Sequence, residues 1–248
     1  AMSPIVAYIQ PTVEVVKNRS EQYEAHLDFP VNKSVILTDF MNNHSELVNI
    51  HSMFDKIQND KNLTVQSISI EGFASPEGPL AFNEQLSKKR AEALKDYLVK
   101  NEKASAKLYK VTFGGENWDG LVKALKSSSM KDKETFLNII KNTTDDAQRK
   151  QEIMRVGGGA PYRSMLKEIY PGLRKVNCKI DYTVVNFDVE QGRIIIRENP
   201  KYLSLNEMYQ VANSYPKGSK DFVNVFDIAV RMYPVSYTHL RAHETAAN

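Results

Sequence analysis

The sequence predicts an α+β domain, a mixed β-sheet of three or four strands with helices packed on one face. Three observations predict it. Ile70–Leu98 passes from a β-branched run, through a loop broken by Pro76, Gly78 and Pro79, into a long helical pattern. Val176, Cys178, Ile180, Tyr182 and Val184 alternate with Lys175, Asn177, Lys179, Asp181 and Thr183, the mark of a strand with one buried face. Leu47, Ile50, Phe54 and Ile57 recur at i, i+3, i+7 and i+10, one face of a helix. Motif, capping signals and periodicity agree, as a foldable sequence requires.

Taken in order, Ile5–Ile9 is a short apolar run between Pro4 and Pro11, an edge strand or a connector. Residues 1–22 are expected to connect to a missing upstream region. Val13–Arg19 is mixed in character. Ala25–Phe29 alternates and reads as the first strand, with Asn32–Asp39 as the loop after it. Asn43 with Glu46 three residues on is a capping-box signature for the first helix. Asn59-Asp60-Lys61-Asn62 closes that helix, and Leu63–Phe73 is the second strand. Pro79 suits a first helical position, where its missing N–H costs nothing, and the helix runs from Leu80 past Leu98. Asn101–Lys107 is a polar turn, and Leu108–Phe113 is a third strand ended by Gly114-Gly115.

Leu121–Tyr170 is helical in pattern. Gly157-Gly158-Gly159 interrupts it as a hinge, since the Lys-Ser/Thr of a phosphate-binding loop is absent. A helical insertion of about residues 116–171 is therefore expected between the third strand and the last. Gly192–Arg197 reads as an edge strand or hairpin arm. Ser204 with Glu207 is a second capping box. Leu205, Met208, Val211 and Ala212 make one stripe; Phe222, Val225, Phe226, Ala229 and Val230 make another. This C-terminal helical hairpin resembles the first unit of a tetratricopeptide-like array. The expected division is a core domain over 23–198, a helical repeat region beginning at 199–234, and a non-native tail over 235–248. Val235–Thr245 looks like the translation of a sequencing adapter, so His239 and His243 are set aside as metal ligands.

Composition bounds the function. The 248 residues are 42% hydrophobic and 25% charged, enough for one sizeable domain or two small ones. A net charge of +3, with no basic block interleaved with aromatics, argues against nucleic acid. No apolar run approaches the roughly 18 residues of a membrane-spanning helix. The single cysteine, Cys178, excludes an internal disulfide and sits on a strand as a buried thiol. His26, His44 and His51 have no acidic or cysteine partners at ligand spacing, so no metal or cofactor is expected. No serine occupies a nucleophile elbow, and Glu71 and Glu77 read as a strand-edge and a loop charge, so no enzyme is expected. Trp118, the only tryptophan, reads as core packing, with stacking on a glycan ring as the alternative.

The chemistry gathers at the central loop and helix. A strand-end loop feeding a helix presents unpaired backbone N–H groups to an anion. Arg90 falls between Leu86 and Leu94 on the apolar stripe completed by Tyr97 and Leu98, with Asn83 and Ser87 beside it. A guanidinium there needs a carboxylate, a carbonyl or a ligand. Gly72, Gly78, Asn83, Leu86, Ser87, Arg90 and Ala91 match the pattern G-x-x-x-x-x-G-x-x-x-x-N-x-x-L-S-x-x-R-A. The stretch resembles the OmpA C-terminal-like, peptidoglycan-associated domain, in the version common in Bacteroidetes outer-membrane proteins, whose loop reads Ala-Ser-Pro-Glu-Gly.

The resemblance implies non-covalent binding of the diaminopimelate in peptidoglycan stems. In the family a loop Asp grips the ligand's ammonium and the helix Arg grips its carboxylate. Arg90 carries over directly; the Asp position falls on Ser75. The resemblance also implies a place at the periplasmic face of the outer membrane of a Gram-negative bacterium. Two readings stay open. In one, the chain is an anchor that holds peptidoglycan through Ser75, Glu77, Gly78, Asn83 and Arg90, with Glu77 standing in for the missing Asp. In the other, it is a scaffold that binds envelope proteins through its helical region, its wall site degenerate at Ser75 and Arg90 paired internally with Asp28 or Glu71.

Overall fold

Alternating burial builds the sheet. The computed structural model describes residues 12–29 and 35–234. The expectations for Ile5–Ile9, for part of the loop 32–39 and for the tail 235–248 lie outside the described residues. The strands are β1 (Lys17–Ala25), β2 (Leu63–Ala74), β3 (Tyr109–Glu116) and β4 (Lys175–Val184). They form one mixed four-stranded sheet in the order β1-β4-β2-β3. Every second residue of β4, from Val176 to Val184, is buried, as the period-two pattern predicts. Burial pushes the Cys178 thiol up to about 12, so it stays protonated and inert.

β2 and β3 are parallel, in register from Ile68–Tyr109 to Ala74–Glu116, with an irregularity between Gly72 and Phe73. Parallel neighbours need a crossover, and helix α2 (Leu80–Asn101) supplies it. Helix α1 (Asn43–Gln58) buries Leu47, Ile50, Phe54 and Ile57, the four residues its spacing predicts.

The buried side of α2 differs from the expected stripe. It consists of Asn83, Ser87, Ala91, Leu94 and Leu98, so Leu86, Tyr97 and Arg90 lie on its margin. Gly72 gives the reason. A Cβ there would stand 2.2 Å from the Ser87 carbonyl oxygen and 3.1 Å from the Ala91 Cβ. Strand and helix touch backbone to backbone, which demands small residues on the helix side. Gly72→Ala is therefore expected to cost about 1–3 kcal/mol through overpacking. Urea denaturation measures it; a midpoint within error of wild type would show that the strand and helix separate freely.

Three local expectations are corrected. The first strand is Lys17–Ala25, not Ala25–Phe29. It lies at the sheet edge, and its polar alternation gives no hydrophobic signal. Asn43 makes no capping box; its amide instead binds the Asp28 backbone and the Leu37 carbonyl. Gly192–Arg197 is not a strand but part of helix α8 (Val189–Glu198), started by a capping box of Asp188 and Gln191. The β-branched Ile194–Ile196 run suggests a strand, and the cap overrides it.

Between β3 and β4 stand α3 (Trp118–Ser127), α4 (Lys133–Asn142), α5 (Asp146–Arg155), α6 (Ala160–Glu168) and the single turn α7 (Tyr170–Leu173). They share a core of Leu121, Leu125, Phe136, Ile153, Met165, Tyr170 and Leu173, against which Trp118 packs. The glycine run breaks the helices as expected: Gly157, Gly158 and Gly159 have φ of 56°, 72° and 87°, a region that favours glycine.

The chain divides into two compact units, each with its own contacts. The larger comprises Ser20–Lys61 and Val65–Asp181. The smaller comprises Asn62–Thr64 with the described parts of 1–19 and 182–248. In the smaller unit α9 (Leu205–Asn213) and α10 (Lys220–Met232) follow α8, and the Ser204–Glu207 capping box forms as the sequence predicts. Glu207 also holds Lys17, whose fully buried ammonium lies 2.8 Å from both the carboxylate and the Tyr202 carbonyl.

Candidate functional site

The loop after β2 is held shut by the chain's own side chains. The Glu77 amide donates to the Ser75 carbonyl at 2.8 Å, and Gly78 takes a left-handed φ of 80°. Pro79 caps α2 from the position before its first residue, rather than occupying the first turn. Asn83, one turn into the helix, donates from Nδ2 to the Glu77 carbonyl at 2.8 Å and to Glu116 Oε1 at 2.7 Å. The motif asparagine thus fixes the loop to the end of β3.

Glu116 is a hub. Its side chain is 1% exposed, and it accepts from Asn83, from Trp118 Nε1 at 3.1 Å and from the Lys150 ammonium. Lys150 also donates to the Gly78 carbonyl at 2.9 Å and pairs with Asp146 at 2.6 Å. Burial still pushes the Glu116 carboxyl above its ordinary range, despite these donors. Trp118 is packed rather than displayed, with the Arg149 guanidinium 4.6 Å from its ring centre.

On the other side of the loop stands Arg174. Its Nε donates to Ser75 Oγ at 3.1 Å, and its Nη2 donates to Glu77 Oε2 at 2.9 Å. Its backbone is set by its neighbours: Asn117 Nδ2 donates to the Leu173 carbonyl at 3.1 Å, and the His26 ring contacts the Arg174 carbonyl. Ser75 is 6% exposed and Glu77 exposed, so one candidate residue is inside the site and the other on its rim.

Arg90 lies on the margin of the buried side of α2, not on the apolar stripe where its spacing places it. Its Nε and Nη1 are shielded from solvent and have no hydrogen-bond partner among the described residues. The guanidinium carbon lies 5.7 Å from the Phe29 ring centre. Burial, aided by the positive Arg174 and opposed by Asp28, pulls the guanidinium down to about 10. It is still a cation at neutral pH. Neither Asp28 nor Glu71 forms an ion pair with it among the described residues, so the internal pairing that the scaffold reading expects is absent. Asp28 is nonetheless placed deliberately, since Asn43 clamps its backbone N–H and carbonyl at 2.7 and 2.9 Å.

The structure therefore brings together Ser75, Glu77, Gly78 and Asn83 through hydrogen bonds, while no hydrogen bond or ion pair joins Arg90 to them among the described residues. It adds Arg174, Glu116, Lys150 and Asp28. Arg174 sits 99 positions from Ser75, beyond the reach of any local spacing rule. Its signal in the sequence is only that a basic pair, Arg174-Lys175, opens the last strand. Among the described residues no three His, Cys, Asp or Glu side chains gather as a metal site. No described helix is long and apolar enough to cross a membrane.

The family model described as OmpA family matches residues 29–135. That stretch includes the loop, Asn83, Arg90 and Glu116, and stops short of Lys150 and Arg174. No curated protein matches the chain. Among solved structures, the chain is similar to the OmpA-like domain of FopA1 from Francisella tularensis subsp. tularensis SCHU S4. The identity is 12% over 71% of this chain and 81% of that one, with a TM-score of 0.34. It is also similar to an outer membrane protein from Borrelia burgdorferi B31, at 14% identity over 69% of this chain and 98% of that one, with a TM-score of 0.31.

Proposed function

We propose that this chain is a non-enzymatic cell-envelope protein whose OmpA-like domain holds peptidoglycan, tying an outer-membrane or periplasmic protein to the wall. One observation carries the reading: the Arg90 guanidinium is largely buried, charged, and leaves Nε and Nη1 without a partner among the described residues. A buried cation with free donors costs stability unless something completes it. A carboxylate of the stem peptide is the group that completes it, through a charge-assisted and bidentate contact. Asn83 and Gly78 shape the loop beside it, and the matching family supports the choice of wall as ligand.

A second reading has its own support. Ser75 stands where a carboxylate is expected, and Arg174 engages both Ser75 and Glu77. On that reading the wall site is degenerate, and the helical insertion and the α9–α10 hairpin bind envelope proteins. Co-sedimentation with purified peptidoglycan separates the two. Wild type is expected to pellet and Arg90→Ala to stay in solution. A wild type that stays in solution would leave only the scaffold.

A further inference from the structure

Two carboxylates stand at the loop, Glu77 within it and Glu116 at the end of β3, and both are already paired with this chain's own cations. Glu77 is paired with Arg174 at 2.9 Å, and Glu116 with Lys150. Ser75 spends its hydroxyl as an acceptor from Arg174 Nε and as a donor to Glu77 Oε2 at 3.4 Å. Lys150 also occupies the Gly78 carbonyl. A ligand ammonium entering the loop would meet a hydroxyl instead of a carboxylate. It would have to displace Arg174 from Glu77 or Lys150 from Glu116. Asp146 is taken up by Lys150 at 2.6 Å, and Asp28 lies on the Arg90 side, where the ligand's carboxylate belongs.

Resting on the peptidoglycan reading above, we infer that Arg174 is a specificity residue, and that the site takes an amino-acid carboxylate whose own nitrogen is amide-bonded. It rejects the free zwitterion. Arg90 supplies the donors for the carboxylate. Arg174, fixed on Ser75 and Glu77, supplies a positive charge and occupies the Ser75 and Glu77 oxygens that an ammonium would need. An amide nitrogen carries no charge and tolerates that neighbour. In the wall such carboxylates occur where a stem nitrogen is acylated, including at a cross-link.

The test uses the full chain and two probes, diaminopimelate and its N,N′-diacetyl derivative, titrated by calorimetry. The diacetyl form is expected to bind at least about tenfold more tightly, the scale of one unfavourable like-charge contact in a partly dry site. Arg174→Gln is expected to narrow the gap, and Arg90→Ala to abolish binding of both. Equal affinities, or tighter binding of the free zwitterion, would overturn the inference and leave wall binding standing. Failure of both probes, together with failure of wild type to pellet with peptidoglycan, would overturn the wall reading itself and the inference with it. If the diacetyl form wins, muropeptides locate the source. Preference for cross-linked over monomeric species assigns the cross-link, equal affinity assigns a carboxylate common to every stem, and either supports the chemistry.

Discussion

Arg90→Met is expected to abolish peptidoglycan binding and, at the same time, to make the protein more stable. The two effects come from one cause. In the free protein the guanidinium is largely removed from water, is opposed by the positive charge of Arg174, and leaves two shielded donors without acceptors among the described residues. Replacing it with an apolar chain of similar length removes the desolvation cost and keeps the packing against α2. The loss is a weak contact with the Phe29 ring, worth about 0.5–1 kcal/mol. The expected net is a gain of about 1–2 kcal/mol, within the range seen when uncompensated buried polar groups are replaced by apolar ones. Arg90 is still charged at neutral pH, so the gain persists across the physiological range. Urea denaturation and co-sedimentation on the same preparation check both halves. A variant less stable than wild type by 1 kcal/mol or more would mean that the guanidinium has a structural partner, and the site would lose its main support.

That expectation rests on a residue that was legible in the sequence, and its surroundings show where legibility stops. Arg90, Asn83, Gly72 and Gly78 are readable because they stand at fixed spacing within one strand–loop–helix unit. The strand alternation of Val176–Val184 and the stripe of α1 are readable for the same reason: each is a local period imposed by one element. What could not be read depends on contacts across the chain. Asn43 has the spacing of a cap, yet its amide is used on Asp28, and spacing alone does not choose between two hydrogen-bond partners. Arg174 is called to Ser75 by the return of the chain after the helical insertion. β1 hides because an edge strand whose residues are polar apart from Tyr23 and Ala25 has no apolar alternation to announce it. The partial burial of Arg90 follows from Gly72, whose backbone contact with Ser87 and Ala91 turns the helix so that the arginine falls on the margin.

Lys150→Met is expected to be the most destabilising of the substitutions considered, and its pH dependence identifies the reason. Lys150 ties α5 of the insertion to the loop through the Gly78 carbonyl and to β3 through Glu116. Without it Glu116 keeps Asn83 and Trp118 as donors but has no counter-charge, and its carboxylate is 1% exposed. Removing one partner of a buried pair costs about 3–5 kcal/mol, mostly as the penalty of the charge left behind. The remaining donors place the expectation near the low end, about 3 kcal/mol. In wild type the Glu116 carboxyl already lies above its ordinary range through burial, and losing the ammonium raises it further. A carboxyl raised in the fold destabilises the charged form, so its cost is present above the folded value and vanishes below the unfolded one. The deficit of Lys150→Met against wild type should therefore be largest at neutral and alkaline pH and shrink as the pH falls toward the ordinary carboxylate range. Paired denaturation curves at pH 8 and pH 4.5 measure it, while Lys150→Arg, which keeps the charge, should recover most of the loss. A deficit that does not change with pH would mean that Lys150 acts by packing alone. The loop that carries Ser75, Glu77 and Gly78 would then owe its shape to Asn83 and Arg174, and the insertion would have no hold on the ligand site.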